Sequence, residues 1–388
     1  MFPPEDDARV RLLFSCVSLE GHLEPLLPLA RALAAAGHEV TFATGADREH
    51  QILAAGFLHS PAGPSGQDAR EPAAGIRREL LSLPVEERRR FGFSRIFASV
   101  HAPPKLPALL ALLRAGPMDA IVHDSADLAA PIAAAAAGLP SVNHSFGAMV
   151  PLSILEFAGE LVEPLWREQG LEPVPYAGAF RGLYVDLAPR SFSWEEPQGE
   201  RIRLRPADRE PDSAPEWLAG LERPLVYATL GTIFNEPELF RLLLDGLDEV
   251  SALVTSGRNV DPASLGPVPG RVRVERFVPQ GQVLPRCSAV VTHGGSGTTL
   301  GALAHGLPLL LVPQGADQFD NAARCERVGA AIVLRPGQVT PEAVREALRR
   351  LLGEHSFRAG AERVAAEIAT MPSPAETAAA VEVYLTRR

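Results

Sequence analysis

The chain has almost no lysine. Of its 37 basic side chains only Lys105 is a lysine, and the rest are arginine. A P-loop lysine gripping phosphates and a Schiff-base lysine at a strand end are thereby removed from consideration. Cysteine is scarce too. Cys16, Cys287 and Cys325 are odd in number and sit in apolar or helical contexts; they read as reduced core thiols of a cytoplasmic protein rather than a disulfide framework. No His/Cys cluster has zinc spacing, and no Asp-x-Asp pair stands beside an expected strand end, so no metal site and no cofactor are expected. Positive charge is in deficit: the formal net charge is −10, which argues against nucleic acid or an acidic membrane surface as partner. Unbroken apolar runs are short, those at residues 128–139 and 307–312 being interrupted by Pro or Gly. No membrane span or stable membrane anchor is expected from them. The first seven residues are acidic and carry proline, unlike the basic leader of a signal peptide.

At 388 residues the chain exceeds what one ordinary core organises, and two domains are the natural expectation. Residues 11–17 read as a buried strand followed by a polar loop. Pro25 then opens a helix whose apolar positions Leu26, Leu29, Ala30 and Leu33 keep helical period until Gly37, and residues 40–43 form the next strand. Such a unit points to a parallel sheet with right-handed crossovers. Residues 60–75 read as a long Gly/Pro/Ala loop, residues 79–113 as mostly helical, and residues 120–122 as a strand ending at His123, Asp124 and Ser125. A helix at 128–137 and a strand at 141–143 follow. From 195 to 224 the composition shifts to Pro, Glu, Arg and Asp, and then the pattern restarts, with strands at 225–230, 251–255, 271–274, 289–292 and 309–312 and a helix capped by Asn235. The expected fold class is α/β: two Rossmann-like doubly wound domains facing each other across a cleft. Residues 1–205 form the first, 206–224 the linker and 225–388 the second, with a terminal helix free to pack back on the first.

The most informative stretch is residues 291–321. An apolar strand runs into a glycine turn, His293-Gly294-Gly295-Ser296-Gly297, and a helix opens at Thr298-Thr299 and stops at Gly306. A second apolar strand then leads to a polar loop with Asp317 and Gln318. A strand, a glycine turn and a helix N-terminus together make an anion site, because unpaired N–H groups and the helix dipole converge where glycines allow close approach.

Four patterns in register, Gly21-His22-x-x-Pro25, Phe277-Val278-Pro279-Gln280, the His293–Thr298 turn and Asp317-Gln318-x-x-Asn321, resemble the family 1 glycosyltransferases. These are two-domain GT-B enzymes that move a sugar from a nucleotide diphosphate to a small acceptor; the closest resemblance is to bacterial enzymes that decorate polyketides and macrolides in antibiotic biosynthesis. The resemblance implies an inverting, metal-independent transfer to a hydroxyl of a hydrophobic natural product. It gives His22 the role of general base, suited by its near-neutral pKa, and Asp124 that of its partner, with His123, Asp119 and Asp127 as competitors in the same stretch. His293, Gly295, Ser296, Gly297 and Thr298, with Thr232 after the first strand of the second half, would hold the diphosphate. Phe277 would stack on the base, Val278 backbone read its edge, Gln280 face the ribose, and Asp317 and Gln318 bind sugar hydroxyls. Phe91, Phe93, Phe97 and Phe146 are candidate acceptor lining, and oligomeric state is not legible.

One departure carries information. Many family members place a glutamate eight residues after the position of His293, where it grips ribose hydroxyls; this chain has Gly301. A deoxyribose offers that carboxylate less to hold, so a dTDP-sugar donor is expected over a UDP-sugar. Two other readings stand beside the enzyme: a catalytically silent helper of the same fold, disfavoured by the joint presence of His22, Asp124 and His293, and a nucleotide-sugar epimerase of similar architecture. A dinucleotide dehydrogenase fits worse, since neither Gly21 nor Gly231 belongs to a G-x-G-x-x-G.

Overall fold

The computed structural model describes residues 9–206, 215–231, 237–257 and 260–387. The chain forms two compact units: the first comprises Met1–Ala188, Ser193–Arg205 and Pro372–Arg388, the second Pro189–Phe192 and Pro206–Met371.

In the first unit seven strands form one parallel sheet: β1 Arg11–Ser15, β2 Glu39–Thr44, β3 Leu58–Pro61, β4 Ala120–Asp124, β5 Ser141–His144, β6 Leu183–Asp186 and β7 Arg201–Arg203, in the order β3-β2-β1-β4-β5-β6-β7. The second sheet has β8 Leu225–Thr229, β9 Ser251–Thr255, β10 Val272–Glu275, β11 Ala289–Thr292, β12 Leu309–Leu311 and β13 Ala331–Val333, in the order β10-β9-β8-β11-β12-β13. Each unit is therefore a doubly wound Rossmann-like sheet. In each the strand order reverses beside the first strand, between β1 and β4 and between β8 and β11, and in such sheets ligands bind beyond the carboxyl ends of those strands. The central strands are buried throughout, as helices on both faces require.

The structure adds elements that sequence patterning passes over. β3 and the helix Arg70–Leu80 occupy both ends of the stretch expected to be a loop, and β7, sequence Arg-Ile-Arg, is a polar edge strand without an apolar signature. β6 and β13 are only four and three residues long. The terminal helix Pro374–Thr386 starts with a Ser373/Glu376 capping box and belongs to the first unit. There Glu382 meets His38 at 2.8 Å, Thr377 donates to the Arg203 carbonyl and Tyr384 to that of Ser141.

Among the described residues one helical stretch, Arg90–Ala115, is long and apolar enough by length and composition to cross a membrane, with mean hydropathy 1.4 over a window that is 33% buried. A search for unbroken apolar runs misses it because Ser94, His101 and Lys105 interrupt it. Its buried residues Ala98, Ala102, Leu106 and Leu109 join the core on one face of the first sheet, with Leu13, Ile121 and Ile132. Within this stretch Ile96–His101 is a π-helical turn, a form found often at functional sites. All three thiols are buried without a disulfide, and burial pushes Cys16 and Cys287 up to about 12.

Candidate active site

In the first unit the loop after β1 and the end of β4 bring the candidate residues together. Beyond Ser15 the chain turns through Cys16, Val17 and Ser18 into the short helix Glu20–Leu23, which carries His22. His22 Nδ1 lies 3.0 Å from Asp124 Oδ1. Asp124 is 1% exposed, and its oxygens also accept from the N–H groups of Val17 at 3.0 Å and Ala126 at 2.6 Å. Burial alone would raise this carboxyl; the His22 ring and the two N–H groups outweigh it and hold Asp124 below its ordinary value.

The neighbouring acids are engaged elsewhere. Asp119 takes the Arg11 guanidinium through both oxygens, at 3.0 and 2.8 Å, and Asp127 takes Lys105 at 2.9 Å and the Ser15 hydroxyl at 2.6 Å. His123 bonds the backbone oxygen of Asp124. His101 and His144 are held neutral by burial, both pushed down to about 4. Asp124 is thus the acid that meets His22.

Aromatic rings surround that histidine. Phe146 lies tilted 4.3 Å from the His22 ring and Phe97 lies 5.5 Å away, both centroid to centroid, and Phe93 packs on Phe97 at 4.8 Å. The π-helical turn brings Phe97 and His101 to this spot, 5.5 Å apart. Phe91 is placed differently: its ring meets Phe157 edge-on at 5.0 Å, so the structure does not bring it to His22. Phe93 and Phe146 also border a small apolar cluster with Val150, Ile154 and Leu155.

In the second unit, β11 ends at Thr292, just before His293, and the helix Ser296–Ala304 starts with Gly295 at its N-cap, no side chain capping it. The N–H groups of that first turn have no partner within the helix, and around Gly297 there is open space. The His293 ring is wedged between two glycines. A Cβ on Gly231 would lie 2.5 Å from its Cε1, and one on Gly295 would lie 2.7 Å from its Nε2. Burial in this slot lowers His293 to about 4, so it is a neutral hydrogen-bonding ring. Gln280 donates to the Thr298 hydroxyl at 2.9 Å, and the Ser296 hydroxyl donates to Asp317 at 2.7 Å.

Asn321, whose role the sequence leaves blank, closes this network with its amide nitrogen 2.9 to 3.0 Å from Asp317, Ser296 and the Gly294 carbonyl, its two N–H groups shared among them. Gln318 is buried, and its amide oxygen accepts from the Gln314 and Gly315 N–H groups at 2.8 and 3.1 Å. That bond pins the polar loop and leaves only the amide N–H groups of Gln318 for a ligand. Phe277 is 47% exposed while Val278 beside it is buried. A Cβ on Gly301 would meet Leu284 at 3.3 Å. Thr232 and Asn235 lie outside the described residues. Among the described residues no group of three or more His, Cys, Asp or Glu side chains is placed to hold a metal ion.

Residues 241–383 match the family model of the erythromycin biosynthesis protein CIII-like C-terminal domain. The chain is 34% identical to the L-demethylnoviosyl transferase of Streptomyces niveus, over 95% of this chain and 97% of that protein. It is 30% identical to the 3-alpha-mycarosylerythronolide B desosaminyl transferase of Saccharopolyspora erythraea, over 95% and 96%. Among solved structures, glycosyltransferase VinC in complex with dTDP superposes with a TM-score of 0.80 at 27% identity, covering 98% of this chain and 100% of that one. The Streptomyces sp. SF2575 glycosyltransferase SsfS6, complexed with thymidine diphosphate, superposes with a TM-score of 0.77 at 27% identity, covering 97% and 100%.

Proposed function

The chain belongs to the natural-product glycosyltransferases of the GT-B fold, enzymes that use a nucleotide-sugar donor, and from that premise we propose an inverting transfer in which His22 is the general base. His22 takes the proton of an acceptor hydroxyl as the oxygen attacks the anomeric carbon from the side opposite the nucleotide. The bond from that carbon to the diphosphate oxygen breaks, and its electron pair leaves with the phosphate.

The observation that carries this reading is the 3.0 Å contact between His22 Nδ1 and Asp124. An ionised carboxylate only accepts, so Nδ1 carries the proton and the Nε2 lone pair is left for the substrate. Asp124 keeps the ring in that tautomer and stabilises the imidazolium that transfer creates.

At the donor end the diphosphate would rest on the N–H groups of Ser296, Gly297 and Thr298, beside the neutral His293 ring. Their field and the helix dipole would meet the charge building on the leaving group without a metal ion. Thr232, outside the described residues, would add a further phosphate contact. Phe277 would offer its half-exposed ring to the base, Val278 its backbone to the base edge, and Gln280 its amide oxygen to the ribose. The outer oxygen of Asp317 and the amide of Gln318 are left for sugar hydroxyls.

Gly301 faces Leu284, an apolar neighbour, where a ribose-binding carboxylate would otherwise reach. We infer a dTDP-sugar donor, and two superposing structures were solved with thymidine diphosphate. The rings of Phe93, Phe97 and Phe146 around His22 favour a hydrophobic acceptor. Thermal stabilisation by dTDP against UDP tests the donor assignment, since a ligand bound only by the native state raises its melting temperature. A larger shift with UDP would overturn it.

A further inference from the structure

The chain's single lysine is a buried residue. Lys105, 2% exposed, lies in the helix Ala102–Ala115 with its stem packed against Gly63. Its ammonium meets Asp127 Oδ2 at 2.9 Å, the Cys16 carbonyl at 2.5 Å and the Ala43 carbonyl at 3.1 Å. Three acceptors use all of its donors. Asp127 is equally engaged, by the Ser15 hydroxyl at 2.6 Å and the Ala130 N–H at 3.2 Å. A buried ion pair is a weak way to stabilise a fold, because apolar side chains of similar volume do as well or better. Its position suggests a different use.

The carbonyl of Cys16 and the N–H of Val17 belong to one peptide group. Lys105 holds its oxygen end, and the carboxylate of Asp124 accepts from its N–H end at 3.0 Å. A cation at the oxygen polarises the peptide and makes its N–H a stronger donor to the carboxylate beyond. The other oxygen of Asp124 holds His22. Asp127, Lys105, this peptide, Asp124 and His22 therefore form one continuous line of alternating charge and hydrogen bonds. Each link in it joins segments well separated in sequence.

We propose that Lys105 is a positioning residue for the base: by fixing the Cys16–Val17 peptide it sets the plane of the Asp124 carboxylate and so the orientation of the His22 ring. Lys105 touches no substrate and acts only through Asp124. The inference rests on His22 being the base.

Replacing Lys105 alone strands a buried Asp127 charge, and Lys105→Met is expected to fold poorly for that reason. The informative variant is therefore the pair-free double substitution Lys105→Met with Asp127→Leu, made in the wild-type and in the Asp124→Asn backgrounds. Turnover, dTDP binding and melting temperature are read for each. In the wild-type background kcat should fall about tenfold or more while dTDP affinity stays within about twofold, because misaligned catalytic groups lose rate rather than donor binding. In the Asp124→Asn background the same double substitution should change kcat by less than about twofold, since the residue it acts through is already disabled. An unchanged kcat in the wild-type background, or an equal loss in both, overturns the proposal. Activity retained by His22→Ala would instead remove the base reading itself, so the two failures are distinguishable.

Discussion

The slot that holds His293 makes a sharp demand on Gly295. At this residue the backbone is ordinary for any side chain, with φ −61 and ψ 141, so Gly295→Ala introduces no backbone strain. It introduces one methyl group, 2.7 Å from Nε2 and 3.0 Å from Cε1 of His293. Ordinary carbon contacts lie at about 3.5 to 4.0 Å, so the ring must retreat by roughly 1 Å or the turn must open by as much. Overpacking of this kind costs about 1 to 3 kcal/mol, and a misplacement of about 1 Å at a catalytic group costs about 100-fold in rate. Gly231→Ala meets the same ring at 2.5 Å and in addition forces an alanine to φ +75, so it should be the more damaging change by about 1 to 2 kcal/mol. The assay is calorimetric binding of dTDP together with urea unfolding, for Gly295→Ala, His293→Ala and the double variant. If the ring is the whole reason for the glycine, Gly295→Ala adds little once His293 is gone, and the coupling between the two substitutions comes to about 1 to 3 kcal/mol. Additive losses would refute the slot, as would wild-type binding by Gly295→Ala.

Asp124→Asn keeps one acceptor for His22 and the Ala126 N–H but turns an NH2 toward the Val17 N–H, so two donors face each other. Turnover should drop about 10²- to 10⁴-fold, and a retained kcat would show that the carboxylate does not serve the base. Stability should also carry the signature of buried neutral imidazoles. His144 falls from 6.5 unfolded to about 4 folded because of burial. Its contribution is therefore fully present above pH 6.5 and is lost as pH falls toward 4. Between about pH 7 and about pH 5 that single residue accounts for a loss of about 2 kcal/mol. His144→Asn should lose correspondingly less over that interval in urea unfolding, and an identical pH slope in both proteins would contradict this.

Much of this was legible in the residues. The period of Leu26, Leu29, Ala30 and Leu33, the glycine turn after Thr292 and the apolar runs of β8, β11 and β12 each announce an element, because local patterning and local turn chemistry agree. The glycine turn and the helix N-terminus after β11 were readable for the same reason: their parts are nearly contiguous. The contact between His22 and Asp124 was half readable. Residue types singled out His22 and the stretch from 119 to 127, yet alternation along β4 could not choose among its acids. The choice depends on Val17 and Ala126 N–H groups converging on Asp124, and on Arg11 and Lys105 already engaging Asp119 and Asp127. Contacts across more than a hundred residues leave no mark on periodicity. Gln318 carries a part that its motif does not announce, since its amide oxygen pins the loop at Gln314 and Gly315.

The most direct test of the central claim is turnover of His22→Ala alongside its binding of dTDP. The account predicts that kcat falls about 10²-fold or more, as removal of a general base does, while dTDP affinity stays at the wild-type value. Wild-type turnover by His22→Ala would contradict it outright.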